Sequence, residues 1–371
     1  MFAKGQTVIQ YMEQLAPKHL AVPDDRIGLQ LGSLQKEIRS VLVALDVNDE
    51  VVEEAIAMGA DLIVAHHAII FRPLKQLQTD TPMGKMYEKL IKHDIAVYIS
   101  HTNLDIAEGG MNDWMAEALG IADGVPLDEV HAEKLYKLVV FVPAAHADKV
   151  RTAMLEAGAG AIGNYSHCSF NVQGTGTFLP QEGTEPYIGK PGKLEQVEEV
   201  RIETIVPQGI RNKIVQAMIK AHPYEEVAYD LYPVDLKGRS YGLGRVGKLR
   251  EPVTLAEFVD VVKEKLDVPH VRVVGDLNRK IGKAAVLGGS GSRYVNSAIF
   301  RGADVLVTGD IDYHTAQDAL MAGIALIDPG HNAEKIMKAK TAEWLQAKLS
   351  DGRYDTQVAA SQIDTEPFRF M

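Results

Sequence analysis

Cysteine is almost missing from this chain of 371 residues, with Cys168 standing alone. No intrachain disulfide is available, and a reducing cytoplasm is the simplest compartment for such a sequence. Long hydrophobic runs are missing as well. None approaches the ~18 apolar residues of a membrane span, and the opening Met1-Phe2-Ala3-Lys4-Gly5-Gln6 lacks the apolar stretch of a secretory signal. Positive charge is in short supply: 39 Lys and Arg face 50 Asp and Glu, for a net charge of −11. That balance argues against a protein whose main task is gripping nucleic-acid phosphates. The hydrophobic share of 46% and charged share of 24% are those of an ordinary soluble globular protein, long enough for two or three domains at roughly 100–200 residues each.

Two repeats organise the chain. In the outer one, Val41 to Leu45 reads as a buried strand, Asp49 to Met58 as a helix, and Gly59-Ala60-Asp61 turns into the strand Leu62 to Ala65. The same order returns as strand Lys283 to Leu287, helix Ser292 to Phe300, and Gly302-Ala303-Asp304 turning into Val305 to Thr308. His66 and His67 thereby match Gly309 and Asp310. A third strand follows in each half, Ile95 to Ser100 and Ile324 to Ile327. Short apolar strands alternating with helices imply α/β halves with parallel sheets. The expected fold class is α/β, with two related parallel-sheet halves forming one discontinuous domain, 1–129 and 241–371, around a cleft.

Residues 130–240 read as an insertion with its own repeat. Leu135 to Val142, helix His146 to Ala157 and strand Ala161 to Phe170 form one β-α-β unit. Val200 to Val206, helix Gly209 to Ala221 and strand Glu226 to Pro233 form another. Two such units describe a ferredoxin-like α+β domain, and the Gly- and Pro-rich stretch 173–193 reads as an extended hairpin or loop.

Candidate metal ligands gather at strand ends, where open α/β sheets bind their ligands. His66 and His67 close one strand, and successive extended residues point to opposite sides, so each imidazole can serve a different ion. His101 and Asp105 follow the next strand. His331 and Glu334, spaced three apart after Pro329-Gly330, share one face of a helix start. Asp105 has an ordinary alternative as a cap, but Asn112 or Asp113 can serve the helix beginning near Met111. Three histidines and two carboxylates without a nearby cysteine suit zinc foremost, or Mn²⁺, Fe²⁺ or Ni²⁺, rather than Ca²⁺. Two divalent ions per subunit are expected, with Glu334 shared between them. His101, Asn103, Asp310 and His314 are then candidates for supporting groups, with His101 and His314 as proton carriers.

Three further segments carry weaker signals. Gly288-Gly289-Ser290-Gly291-Ser292 is either a phosphate cradle at a helix N-terminus or a tight βα turn. Arg26 can contact an anionic substrate or make a structural ion pair. His222-Pro223-Tyr224-Glu225-Glu226 reads as structural or as a subunit contact, with a further metal-ligand cluster as the alternative.

The chain resembles the GTP cyclohydrolase I type 2 homologues, also called Nif-three-like proteins. The resemblance lies in Asp25-Arg26-Ile27-Gly28-Leu29-Gln30-Leu31-Gly32, Ala65-His66-His67, Ser100-His101-Thr102-Asn103-Leu104-Asp105, Leu306-Val307-Thr308-Gly309-Asp310 and Gly330-His331-Asn332-Ala333-Glu334. Gly174-Thr175-Gly176-Thr177-Phe178 and His222 to Glu226 look like the longer bacterial members. One departure is Asp25-Arg26, where many members have Asp-Asn. The resemblance implies a dinuclear site built from His66, His67, Asp105, His331 and Glu334. It also implies a ring-like homohexamer with trimer contacts through an insert similar to PII and CutA proteins. The expected function is metal-dependent hydrolysis of a nucleotide, as in GTP ring opening. A metal-dependent phosphoesterase and a non-catalytic regulatory metal protein are the alternatives, and neither a membrane nor nucleic acid is an expected partner.

Overall fold

The computed structural model describes residues 1–369 and 371. The chain divides into two compact units, Met1–His131 with Tyr241–Met371, and Ala132–Ser240.

The larger unit is built on two mixed sheets. In the first, Ser40–Ala44, Leu62–Ala65 and Ala96–Ile99 run parallel, with Gln357–Ala360 added parallel at one edge and Gly28–Leu31 antiparallel at the other. Every residue of Leu62–Ala65 and Ala96–Ile99 is buried. The period of two explains why: Leu42, Ile63 and Val97 pack with Val51, Val52, Met86 and Leu90 on one face, while Val43, Val64 and Tyr98 join the large core on the other. In the second sheet Lys280–Ser290, Val305–Gly309 and Ala325–Asp328 are the parallel strands. Arg272–Val274 and Ser240–Thr254 flank them antiparallel, with Ile121–Ala132 outermost. The sequence led us to expect purely parallel sheets. Gln357–Ala360 keeps the parallel direction, whereas Gly28–Leu31, Arg272–Val274 and Ser240–Thr254 are antiparallel, a pairing that needs no crossover helix, and they lie outside the repeated strand-helix-strand pattern.

Local chemistry sets the helix starts. The Asn48 side chain accepts from Val51 N–H ahead of Asp49–Ala57, and Thr81 accepts from Gly84 N–H ahead of Pro82–Lys92 with proline in the first turn. Thr254 and Glu257 make a reciprocal capping box for Leu255–Lys265. Asp105 sits within the short helix Thr102–Ile106, which follows the strand end directly.

The smaller unit holds four antiparallel strands in the spatial order Tyr229–Val234, Leu135–Pro143, Glu195–Pro207, Ser169–Phe178. Helices Ala147–Glu156 and Arg211–Ala221 pack together over a core of Leu138, Val140, Val150, Met154, Ile202, Ile214 and Met218. The second strand corrects the reading of 161–170. Gly160, Gly163 and His167 take positive φ, so this segment turns instead of extending. The strand begins at Ser169 and carries the glycines of Gly174-Thr175-Gly176 along a sheet edge, where a strand tolerates them.

Candidate metal centre

The backbone ladder runs past the end of Leu62–Ala65. His66 N–H donates to Ala44 C=O at 3.2 Å and His67 N–H to Leu45 C=O at 3.0 Å. Both imidazoles are thus fixed at the carboxyl edge of the first sheet. Ser100 N–H donates to Ala65 C=O, which holds the next strand end and His101 beside them. From the second sheet, Ala325–Asp328 ends in Pro329 and Gly330, whose φ of 82° swings the chain into the short 3-10 helix His331–Lys335. That turn brings His331 and Glu334 to the same place.

Each of these imidazoles is pinned through Nδ1. His66 Nδ1–H donates to Ser100 C=O at 2.9 Å, His67 to Asp46 Oδ1 at 2.7 Å, His331 to Asp310 Oδ2 at 2.6 Å and His101 to Asp25 Oδ1 at 2.9 Å. With Nδ1 occupied, Nε2 is the free ligand atom, the arrangement found behind metal-bound histidines. The Nε2 atoms meet carboxylates. Glu334 Oε2 lies 3.1 Å from His67 Nε2 and 3.3 Å from His331 Nε2, and its Oε1 lies 3.9 Å from His66 Nε2. Asp105 Oδ1 is 3.5 Å from His66 Nε2. His67, His331 and Glu334 form one set of converging ligand atoms, and His66, Asp105 and Glu334 another, with Glu334 common to both. A third set joins His66, His67 and His101.

Burial makes this cluster electrostatically costly. It pushes the fully buried His66 down to about 3, against the pull of Glu334, and Asp105 up to about 8, helped by the neighbouring Glu334 charge. Burial also opposes ionisation of Glu334, yet the hydrogen bonds from His331 and His67 hold it well below the usual carboxylate range. His67 is raised to about 10 because Asp46 and Glu334 outweigh its burial. His331 is raised to about 9, chiefly by its bond to Glu334 and with Asp310 adding to it. Two atoms of the converging sets are buried without a hydrogen-bond partner among the described residues, His66 Nε2 and Asp105 Oδ1. Buried polar atoms are normally paired. Two acceptors facing one another, with imidazole and carboxylate donors around them, are what a divalent cation would satisfy. The residues fit a metal.

The Duf34/NIF3 (NGG1p interacting factor 3) profile matches residues 3–367. The chain belongs to the Duf34/NIF3 family. A protein of Halalkalibacterium halodurans named GTP cyclohydrolase 1 type 2 homolog is 57% identical, covering 100% of this chain and 99% of its own. The Bacillus subtilis protein of that name is 50% identical, with coverages of 99% and 98%. Among solved structures, a Bacillus cereus protein related to NIF3 superimposes with a TM-score of 0.93 at 53% identity, covering 100% of both chains.

The structure does not bring every sequence candidate to this place. His314 is exposed on the first turn of Tyr313–Ala322, its ring against Tyr313, and takes no part in the converging sets. Asn103 is turned inward, its amide donating to Ala16 C=O and Ser100 Oγ. Arg26 is exposed and joins no ion pair among the described residues, so the structural pair considered for it is not made. The useful residue of that loop is its neighbour, since Asp25 binds His101 and also accepts from Thr102 N–H at 3.1 Å. Asp46 went unread in the sequence. An Asp just past a strand is common in turns, and only its position beside His67 marks it. The glycine-rich segment makes the turn from strand to helix, the second of the uses considered for it. It ends the strand Lys280–Ser290 and abuts Glu334: a Cβ on Gly289 would stand 2.7 Å from Oε1. Asn112, considered as a helix cap, instead bridges Gly288 N–H and Asp105 C=O.

A cavity of about 570 Å³ opens beside His331. Arg272, Asp310 and Asn332 line it together with Glu366 and Phe368. Among the described residues no helix is long and apolar enough to cross a membrane.

Proposed function

We propose that this protein is a dinuclear metal-dependent hydrolase acting on a small nucleotide. The observation that carries the reading is the pair of ligand sets sharing Glu334, with His66 Nε2 and Asp105 Oδ1 left without partners. His67, His331 and Glu334 would hold one ion and His66, Asp105 and Glu334 the other, zinc foremost. Bound there, such ions supply Lewis acidity toward water and toward a substrate oxygen. The chain's own groups do the rest. Asp46, Asp310 and the Ser100 carbonyl engage Nδ1 of three imidazoles, so Nε2 is the ring nitrogen turned toward the carboxylates. His101, anchored by Asp25, has its ring 5.0 Å from that of His66 and is placed to hold or pass a proton. The cavity beside His331 has the size of a small-molecule site.

The relatives named GTP cyclohydrolase 1 type 2 homolog make GTP ring opening the first substrate to test. One observation favours the phosphoesterase alternative: Arg272, paired with the buried Asp328, still lines the cavity with an exposed side chain, a charge that would favour a phosphate. The strand order of the smaller unit supports an inserted ferredoxin-like domain, and the parallel strand triplets of the two sheets support a pair of related halves. A homohexameric ring with trimer contacts through that insert completes the proposal, and its mass in solution is open to sedimentation.

Metal per chain, by mass spectrometry on the native protein and on His67→Ala and Glu334→Ala variants, tests the centre. GTP and model phosphoesters are incubated with the same samples. About two ions per chain, lost with turnover in both variants, is the expected result. Metal without turnover on either substrate class would favour a regulatory protein, and no metal after chelator-free purification would sink the reading.

A further inference from the structure

Two motifs of the smaller unit take no part in the metal centre, Gly174 to Phe178 and His222 to Glu226. Both contribute walls to one cavity of about 630 Å³ formed wholly by residues of that unit. This volume lies within the ~300–1,000 Å³ typical of small-ligand sites. Its aromatic side is a cluster of three rings. Tyr224 stands 5.7 Å from Phe178 and 6.3 Å from Tyr187, centroid to centroid. Leu179, Ile188 and Pro186 extend the apolar surface.

The charges of the cavity are unequal. Glu199, Glu225 and Glu226 line it against a single cation, Arg201, whose guanidinium lies 2.8 Å from Glu203 Oε1. Glu199 is the deepest of the carboxylates, with the residue only 9% exposed. Its Oε1 accepts from the Tyr224 hydroxyl at 3.0 Å. Its other oxygen lies where a Cβ on Gly176 would come within 2.1 Å, so glycine keeps that space free for the carboxylate. A buried carboxylate beside clustered rings is the chemistry that recognises a cation carrying an apolar body.

We propose that this cavity binds a small organic ammonium ion, its head on Glu199 and its body among Phe178, Tyr187 and Tyr224. The site is independent of the metal centre and of the activity proposed for it. Titration calorimetry on the full chain tests it, with phenethylammonium and benzyltrimethylammonium as probes and 3-phenylpropionate and benzyl alcohol as anionic and neutral controls. Saturable binding of an ammonium probe at one per chain is expected, with the controls at least tenfold weaker. Glu199→Gln should weaken it about tenfold or more, as loss of a hydrogen bond to a charged group does. Tyr187→Ala, at the exposed rim, should weaken it too while leaving the circular dichroism and the metal content unchanged. Equal binding of a control, or unchanged affinity in a folded Glu199→Gln or Tyr187→Ala protein, would overturn the proposal. So would the absence of ammonium binding. In that case a Tyr187→Trp fluorescence that changes on subunit dissociation would assign the cavity to a second copy of the chain.

Discussion

Asp46 illustrates how much of the centre rests on residues that touch no metal. It receives Nδ1–H of His67 on one oxygen and the Thr365 hydroxyl on the other, so both partners fix its carboxylate. Replacing it by alanine frees the His67 ring to rotate while leaving every proposed ligand in place. Metal affinity in Asp46→Ala is expected to fall roughly 10- to 100-fold, as for other groups that orient a ligand. Competition against a chromophoric chelator measures it, and an unchanged affinity would remove Asp46 from the account. The candidate ligands themselves were legible in the sequence because histidine and acid at successive strand ends are a local pattern. Of their supports, Asp310 was legible too, but Asp46 and Asp25 were not. Those two lie 21 and 76 residues along the chain from the side chains they orient, and an isolated Asp carries many ordinary uses.

Among the elements, the end of the strand Lys280–Ser290 is built against Glu334. Gly289 has a φ of 64°, and a Cβ there would meet Glu334 Oε1. Gly289→Ala is expected to cost roughly 1–2 kcal/mol from backbone strain alone, and to displace the shared carboxylate besides. Thermal melts and metal content should therefore fall together. A melt that drops while metal content holds would separate the strain from the ligand. The sequence showed the glycines but not their purpose, because the residue they accommodate arrives from a separate strand end.

Another element-level device is the end of helix Arg211–Ala221, where His222 is locked as a neutral imidazole. Its Nε2–H donates to Phe141 C=O and its Nδ1 accepts from Tyr224 N–H. Burial, with a further push from the nearby His146, pulls its pKa below the ordinary value of 6.5 against the bond to Phe141 C=O. A lowered folded pKa means the unfolded chain binds the proton first. Its contribution is therefore present above about pH 6.5 and lost as acid carries the solution below that value. His222→Gln should flatten the loss of stability between about pH 7 and pH 5. If the acid slope of the melting curve is unchanged in the variant, His222 is not its source.

For the whole molecule, the cluster of buried imidazoles and carboxylates predicts that metal binding and folding are linked. The unfolded chain has no preformed site, so bound metal stabilises the native state in proportion to the logarithm of its concentration. At a hundredfold excess over Kd the gain is about 2.7 kcal/mol. Dialysis against chelator should lower the melting temperature, and readdition should restore it; a melt indifferent to metal would mean the site is not loaded in the native fold. The sequence by itself determined the strand-helix order of the parallel cores, the places where histidines and acids end those strands, and the composition that leaves a single cysteine. These follow from local periodicity and residue type. Only the tertiary structure decided that Asp46 and Asp25 brace His67 and His101, that Asp105 rides on a helix, that His314 stays in solvent, and that two motifs of the smaller unit wall one cavity. Those facts depend on which distant segments the sheets bring together, and that is set by packing across the whole fold, which no local window of sequence contains.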